Sequence, residues 1–192
     1  AQLEAKVGGQ EQASRNISDA KSMLSVAEGG LDSQLDILQE MKSKTVQAAN
    51  DSLGDSERKA IEGELDELTS ELNDIAKNTS FNGTDLLSGS GNDTLKFQTG
   101  AEKSETFKTS IGDSLAKDLG SSKSIGDGSG NFKYKLTTGS GNDKALQAVD
   151  QAIDQVSSEL SDLGATQNRL SFKQENLETS TKNLNSAQSQ IE

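Results

Sequence analysis

The chain has 192 residues, a net charge of −12, no Cys, His or Pro, and only 3% aromatic residues. That composition excludes disulfides, thiol chemistry, the usual zinc sites and imidazole acid–base catalysis. Its acidity argues against nucleic acid and anionic membrane surfaces as partners, and no apolar run approaches the ~20 residues of a membrane span.

So few aromatics suit a thin helical bundle better than a thick sandwich or barrel. In the N-terminal quarter, Ile17, Ala20, Leu24, Ala27, Leu31, Gln34, Leu38, Met41, Thr45 and Ala48 step alternately by three and four. This is a heptad register on one long helix. Gly29 and Gly30 lie inside it. A Gly pair costs about 2 kcal/mol relative to Ala in a helix interior. The register nevertheless runs through without a slip, so packing is expected to override propensity. Asn50–Ser56 reads as a turn, with Gly54 as helix stop and Asp55 or Ser56 as the next N-cap.

A second helix follows on Ile61, Leu65, Leu68, Leu72 and Ile75 and is expected to end near Asn78. Glu62, Glu64, Asp66, Glu67, Glu71 and Asp74 crowd it. Paired acids serve glycoside hydrolysis, but this seam leaves them on the solvated face, where charge runs belong. Ser and Thr are abundant, yet without His there is no triad to build.

From Phe81 to Asn142, Gly, Ser, Asn, Asp and Thr dominate. Alternating runs at Thr94–Gln98, Glu105–Lys108 and Phe132–Leu136 predict two or three hairpin strands, with one helical turn at Ser114–Leu119. The block holds four of the five Phe and the only Tyr, and is expected to cap one end of the bundle. Gly89-Ser90-Gly91-Asn92-Asp93 recurs as Gly139-Ser140-Gly141-Asn142-Asp143. The pair resembles a calcium-binding repeat, but that fold needs stacked tandem copies. Two flexible linkers are expected instead, with Asp143 capping the last helix. Asn-x-Ser/Thr sequons begin at Asn16, Asn78, Asn82 and Asn92. Chance explains them in so Asn-, Ser- and Thr-rich a chain.

The last segment is the most regular. Val149, Val156, Leu163, Leu170, Leu177, Leu184 and Ile191 occupy one heptad position. The other is apolar at Leu146, Ile153 and Leu160 and polar at Gln167, Gln174, Thr181 and Gln188. This predicts a helix from about Lys144 to the end, ~70 Å long. Its first half should be buried at both positions; its second half should be packed more narrowly, or be completed by segments outside this sequence.

Several segments resemble the bacterial flagellin core. They are Gln12-Ala13-Ser14-Arg15-Asn16, Ala27-Glu28-Gly29-Gly30-Leu31, Val46-Gln47-Ala48-Ala49-Asn50, Thr79-Ser80-Phe81-Asn82-Gly83 and Leu95–Ala101. Ser161–Leu170 is similar to the family's Asp-Leu-Gly-Ala-x-Gln-Asn-Arg signature. Only about Ala101–Lys144 lacks a counterpart. The resemblance implies a mainly α fold with a small β region: a single elongated core domain, 1–192, with N-terminal helices at 1–80, a β/loop region at 81–142 and a long C-terminal helix at 143–192. It implies a self-assembling filament subunit of the extracellular flagellum, without enzymatic activity or cofactor and exported without a cleaved signal peptide. The expected partners are other protomers, cap and junction proteins, an export chaperone and the vertebrate Toll-like receptor 5. The lumen-lining terminal helices and large outer domains of the family are expected to be absent, leaving a trimmed or protease-resistant core. A hook–filament junction protein and an extracellular coiled-coil adhesin are the alternatives.

The resemblance also supplies a candidate patch. Flagellins that activate the receptor carry an Arg on the first long helix and a Leu four residues on. Counting back from Val46–Asn50, those positions are Glu40 and Lys44 here. Gln47, Glu64 and Arg169 match the remaining contacts. The two departures imply weak receptor activation. In their own right, Glu40 and Lys44 read as an exposed i,i+4 ion pair.

Overall fold

The computed structural model describes residues 2–88, 94–120 and 124–191. Among these the chain is mainly α: α1 (Gln2–Ala48), α2 (Asp55–Asn78) and α3 (Gly139–Ile191). Two antiparallel strand pairs accompany them, β1 (Ser80–Phe81) with β2 (Thr84–Asp85), and β3 (Leu95–Gln98) with β4 (Thr106–Thr109). The chain divides into two compact units. The first comprises Ala1–Ser25, Asn92–Ser110 and Asp162–Glu192, and the second Val26–Gly91 and Ile111–Ser161. The Gly- and Ser-rich block expected to act as one cap is shared between them.

All ten predicted seam residues of α1, from Ile17 to Ala48, are buried. In the second unit α2 runs antiparallel to α1. Gln34 Nε2, fully buried, donates to the Leu72 carbonyl at 2.9 Å and the Ser114 carbonyl at 3.0 Å. One buried polar seam residue of this kind fixes register. Gly30 sits where a Cβ would lie 2.6 Å from Thr79 Oγ1 and 2.8 Å from Leu87 Cδ1, whereas Gly29 faces open space. Packing does override propensity here, at Gly30 alone.

The buried face of α2 departs from the predicted seam. Ile61, Leu65 and Leu72 are buried, but Leu68 and Ile75 are only half-buried, and Thr69, Asn73 and Ala76 take their place. A heptad seam presupposes one partner, and α2 has two, because Ala116, Phe132 and Leu136 also bond to it through their backbone N–H groups. The N-cap also differs. It is Gly54, in extended conformation and with no side-chain cap bond. Asp55 and Glu57 instead place carboxylates in the first turn, where the helix dipole favours them. At the other end the Thr79 N–H and Oγ1 both donate to the Ile75 carbonyl, at 3.0 and 2.6 Å.

Phe132–Leu136 does not form the expected strand. Only an isolated bridge between Phe132 and Gly126 remains, with the Lys133 N–H donating to the Ile125 carbonyl at 2.9 Å; two other backbone donors go to α2 carboxylates, Phe132 N–H to Asp66 Oδ1 at 2.8 Å and Leu136 N–H to Glu62 Oε1 at 2.6 Å. Helix side chains also accept three backbone donors of the preceding stretch. The Gly112, Ala116 and Gly120 N–H groups donate to Glu159, Asn73 and Gln155, at 2.9, 2.8 and 3.1 Å. Buried backbone groups need partners, and here side chains supply what a sheet ladder would. Glu62 and Asp66 therefore do not lie on a purely solvated face. Within the segment, Leu119 N–H closes one turn on the Leu115 carbonyl at 3.0 Å.

The last helix starts five residues earlier than predicted. Thr138 caps it, its Oγ1 accepting the Gly141 N–H at 3.1 Å, and Asp143 lies inside the helix. Gly139–Asp143 is thus a helix start and not a linker; the matching residues 89–93 lie outside the described residues. A Cβ on Gly141 would overlap the Lys135 carbonyl oxygen, so the close approach demands glycine. Farther along, Val149 and Val156 are buried as expected, but Leu146, Ile153 and Leu160 are only half-buried. Ala145, Ala148 and Ala152 are the buried neighbours instead. Small residues on the inner face let helices approach closely, leaving the bulkier Leu and Ile on its flank.

In the first unit α1 and α3 also run antiparallel. Ala13, Ile17, Ala20 and Leu24 of α1 and Leu163 and Leu170 of α3 are all buried. Leu177 and Leu184 are half-buried. There polar side chains meet: Gln10 Nε2 donates to Ser180 Oγ at 2.9 Å, Thr181 Oγ1 donates to Gln10 Oε1 at 3.1 Å, and Gln174 Nε2 donates to Ser18 Oγ at 3.1 Å. The β3–β4 pair places Phe97 opposite Phe107. It is tied to α1 by Asn16 Nδ2, which donates to the Gln98 carbonyl at 3.0 Å.

Candidate functional site

Glu40, Lys44 and Gln47 lie one turn apart on the outer side of α1, where Met41, Thr45 and Ala48 take the buried side. The α1–α2 turn then sets which α2 residue meets them. Asn50 Oδ1 accepts the Ser52 N–H at 3.2 Å, and Arg58 reaches back to the Asn50 carbonyl at 3.2 Å. The resulting antiparallel register brings Glu64 against Lys44, with Nζ and Oε2 2.5 Å apart. Side-chain exposures of 30% and 52% make this a surface pair, worth little in stability. It still decides what the surface presents. The Lys44 ammonium is held above the ordinary lysine value, first by its hydrogen bond to Glu64 and next by the Glu64 charge, while desolvation opposes and Glu40 adds a smaller push.

The structure thus joins Lys44 most closely to Glu64, with Glu40 acting on it by a weaker charge interaction. Glu40 and Gln47 are exposed. Arg169 belongs to the other unit, where its guanidinium lies 4.9 Å from the centroid of the Phe107 ring, a cation–π contact. Sequence reasoning missed the Lys44–Glu64 pair. Among the described residues there is no group of three or more acidic metal-ligand candidates and no helix long and apolar enough to cross a membrane.

Residues 1–92 match the bacterial flagellin N-terminal helical region, and residues 146–192 match the bacterial flagellin C-terminal helical region. The flagellin of Bacillus subtilis (strain 168) is 34% identical over 214 residues, covering 98% of this chain and 70% of that protein. The chain belongs to the bacterial flagellin family. The crystal structure of Bacillus cereus flagellin superposes with a TM-score of 0.68 at 23% identity, over 85% of this chain and 88% of that one. A putative flagellar hook-associated protein from Vibrio parahaemolyticus superposes with a TM-score of 0.80 at 18% identity, over 98% and 94%. At such identities both show the fold alone. As a flagellin, the chain is a structural protein of the bacterial flagellar filament, and its homologues imply self-assembly into that extracellular filament. The mainly α fold with two small strand pairs is the flagellin fold.

Proposed function

We propose that this flagellin is a filament subunit that Toll-like receptor 5 recognises poorly, through a patch at Glu40, Lys44, Gln47 and Glu64, with Arg169 a separate contact on the other unit. The Lys44–Glu64 ion pair carries the reading. It puts a hydrated ammonium where the resemblance expects an apolar Leu, and occupies a carboxylate that would otherwise be free for a cation on the partner. Glu40 reverses the charge expected of an Arg anchor. Losing one anchor of that kind costs about 2 kcal/mol or more, and burying the ammonium under a partner adds to it.

In this reading residues 1–192 act as one core domain with no catalytic role. The partners are other protomers, cap and junction proteins and an export chaperone. A hook–filament junction role is the second reading, supported by the fold likeness to the hook-associated protein.

The test is a titration of the receptor ectodomain with this chain beside the double variant Glu40→Arg, Lys44→Leu. The double variant should bind roughly tenfold to a thousandfold more tightly. Nanomolar binding by the unmodified chain, or equal affinities for the two, would overturn the proposal.

A further inference from the structure

Asn82 and Gly83 form the two-residue loop between β1 and β2, where Phe81 pairs with Thr84 and Ser80 with Asp85. Both have positive φ, 50° and 76°, as a two-residue hairpin loop of the primed type requires. Asn82 is the only non-glycine with positive φ among the described residues, and Asn tolerates that conformation better than most residues. The same pair has a chemical liability. Asn82-Gly83 is the only Asn-Gly dipeptide in the chain; every other Asn precedes a residue with a side chain. Both residues are exposed, nothing lies within 4 Å of a Cβ position on Gly83, and the Asn82 amide has no hydrogen-bond partner among the described residues.

We propose that Asn82 is the site at which this protein deamidates in its native state. The Gly83 backbone nitrogen attacks Cγ of Asn82. A new N–Cγ bond forms, the Cγ–Nδ2 bond breaks, and ammonia leaves with the proton that Gly83 N–H gives up. The product is a five-membered succinimide. Water then adds at one of its two carbonyls, leaving either aspartate or isoaspartate at position 82. With no Cβ on Gly83, nothing crowds the attacking nitrogen. The hairpin must open for the attack, and strands of two residues resist opening weakly. Its flanks are better held, by the Leu86 N–H donating to the Thr79 carbonyl at 3.0 Å and by buried Leu86 and Leu87. The conversion therefore stays local. Aspartate adds a negative charge near Asp85, and isoaspartate inserts a carbon into the backbone and breaks the Phe81–Thr84 pairing. On an assembled subunit the altered turn would persist as a mark of age.

The experiment ages the folded chain and the urea-denatured chain in the same mildly alkaline buffer. Peptide mapping by mass spectrometry follows each Asn, and isoaspartyl methyltransferase labelling counts isoaspartate. In the folded chain Asn82 should show the mass of an amide-to-acid exchange before any other Asn, with isoaspartate in excess. Its rate should stay within about tenfold of the denatured rate, an opening cost of at most about 1.4 kcal/mol. Asn82→Gln should abolish the early product, because its ring closure would need six members. Earlier conversion of another Asn, or folded-state protection beyond tenfold, overturns the proposal.

Discussion

Gly29 and Gly30 are adjacent in α1 and equal in helix propensity, yet alanine should act oppositely at the two. At Gly29 a new Cβ meets open space. Only the propensity gain remains, about 0.5–1 kcal/mol in favour of Ala. At Gly30 the same Cβ would stand 2.6 Å from Thr79 Oγ1, 2.8 Å from Leu87 Cδ1 and 2.9 Å from Thr79 Cγ2. Thr79 cannot yield freely, since its Oγ1 is hydrogen-bonded to Ile75 O at 2.6 Å, and Leu87 is fully buried. Overpacking of this kind costs about 1–3 kcal/mol. Set against the propensity gain, Gly30→Ala should be destabilising by roughly 0–2 kcal/mol. A chain of this size shifts Tm by about 2–4 °C per kcal/mol. Gly29→Ala should therefore raise the calorimetric transition by a few degrees, and Gly30→Ala should leave it level or lower it. Trimming the obstacle in Gly30→Ala, Thr79→Ser should recover part of the loss. If the two single variants move Tm equally in the same direction, the claim that Gly30 is retained for close packing is wrong.

Asp66→Ala should cost about 1–3 kcal/mol in urea unfolding, because it leaves the Phe132 N–H without its acceptor. The near-ultraviolet signal of Tyr134, whose ring lies edge-on to Phe132 at 5.7 Å between centroids, should weaken with it, whereas Glu71→Ala on the exposed side should do neither. Leu163→Asp should loosen the first unit, since it puts an unpaired carboxylate at a buried seam position of α3. Asp162→Ala, exposed beside it, should stay within about 0.5 kcal/mol of neutral, and coincident melting curves for the two would refute the seam. Asp127 is held below the ordinary aspartate value, first by the Ser129 N–H and then, against desolvation, by Asn131. A depressed folded value means that its contribution is full above the unfolded pKa and is lost as pH falls through the folded one. The Ser129 and Asn131 amide resonances should therefore shift together below the usual aspartate range, and Asp127→Asn should abolish that step.

The α1 seam was legible in the sequence because nine of its ten positions, all but Gln34, combine heptad spacing with apolar or small side chains, and helix periodicity alone then puts them on one face. The family was legible for a related reason, since the matching segments are the helix ends and turns that this packing needs. On α3 the second seam position was read at Leu146 and Ile153, whereas the adjacent Ala145 and Ala152 are the buried ones. Neighbouring residues differ by only about 100° around a helix, so the choice rested on how closely the partner helix approaches. The helix start at Gly139 was hidden by its composition. Two glycines read as a linker until the Lys135 carbonyl is seen to require Gly141. The roles of Glu62, Asp66 and Lys44 lay beyond sequence reasoning altogether. Their partners are 74, 66 and 20 residues away along the chain, and a carboxylate or ammonium on a helix surface looks the same in sequence whether it faces water, a backbone N–H or an opposite charge. Only the packing of one segment against another decides which.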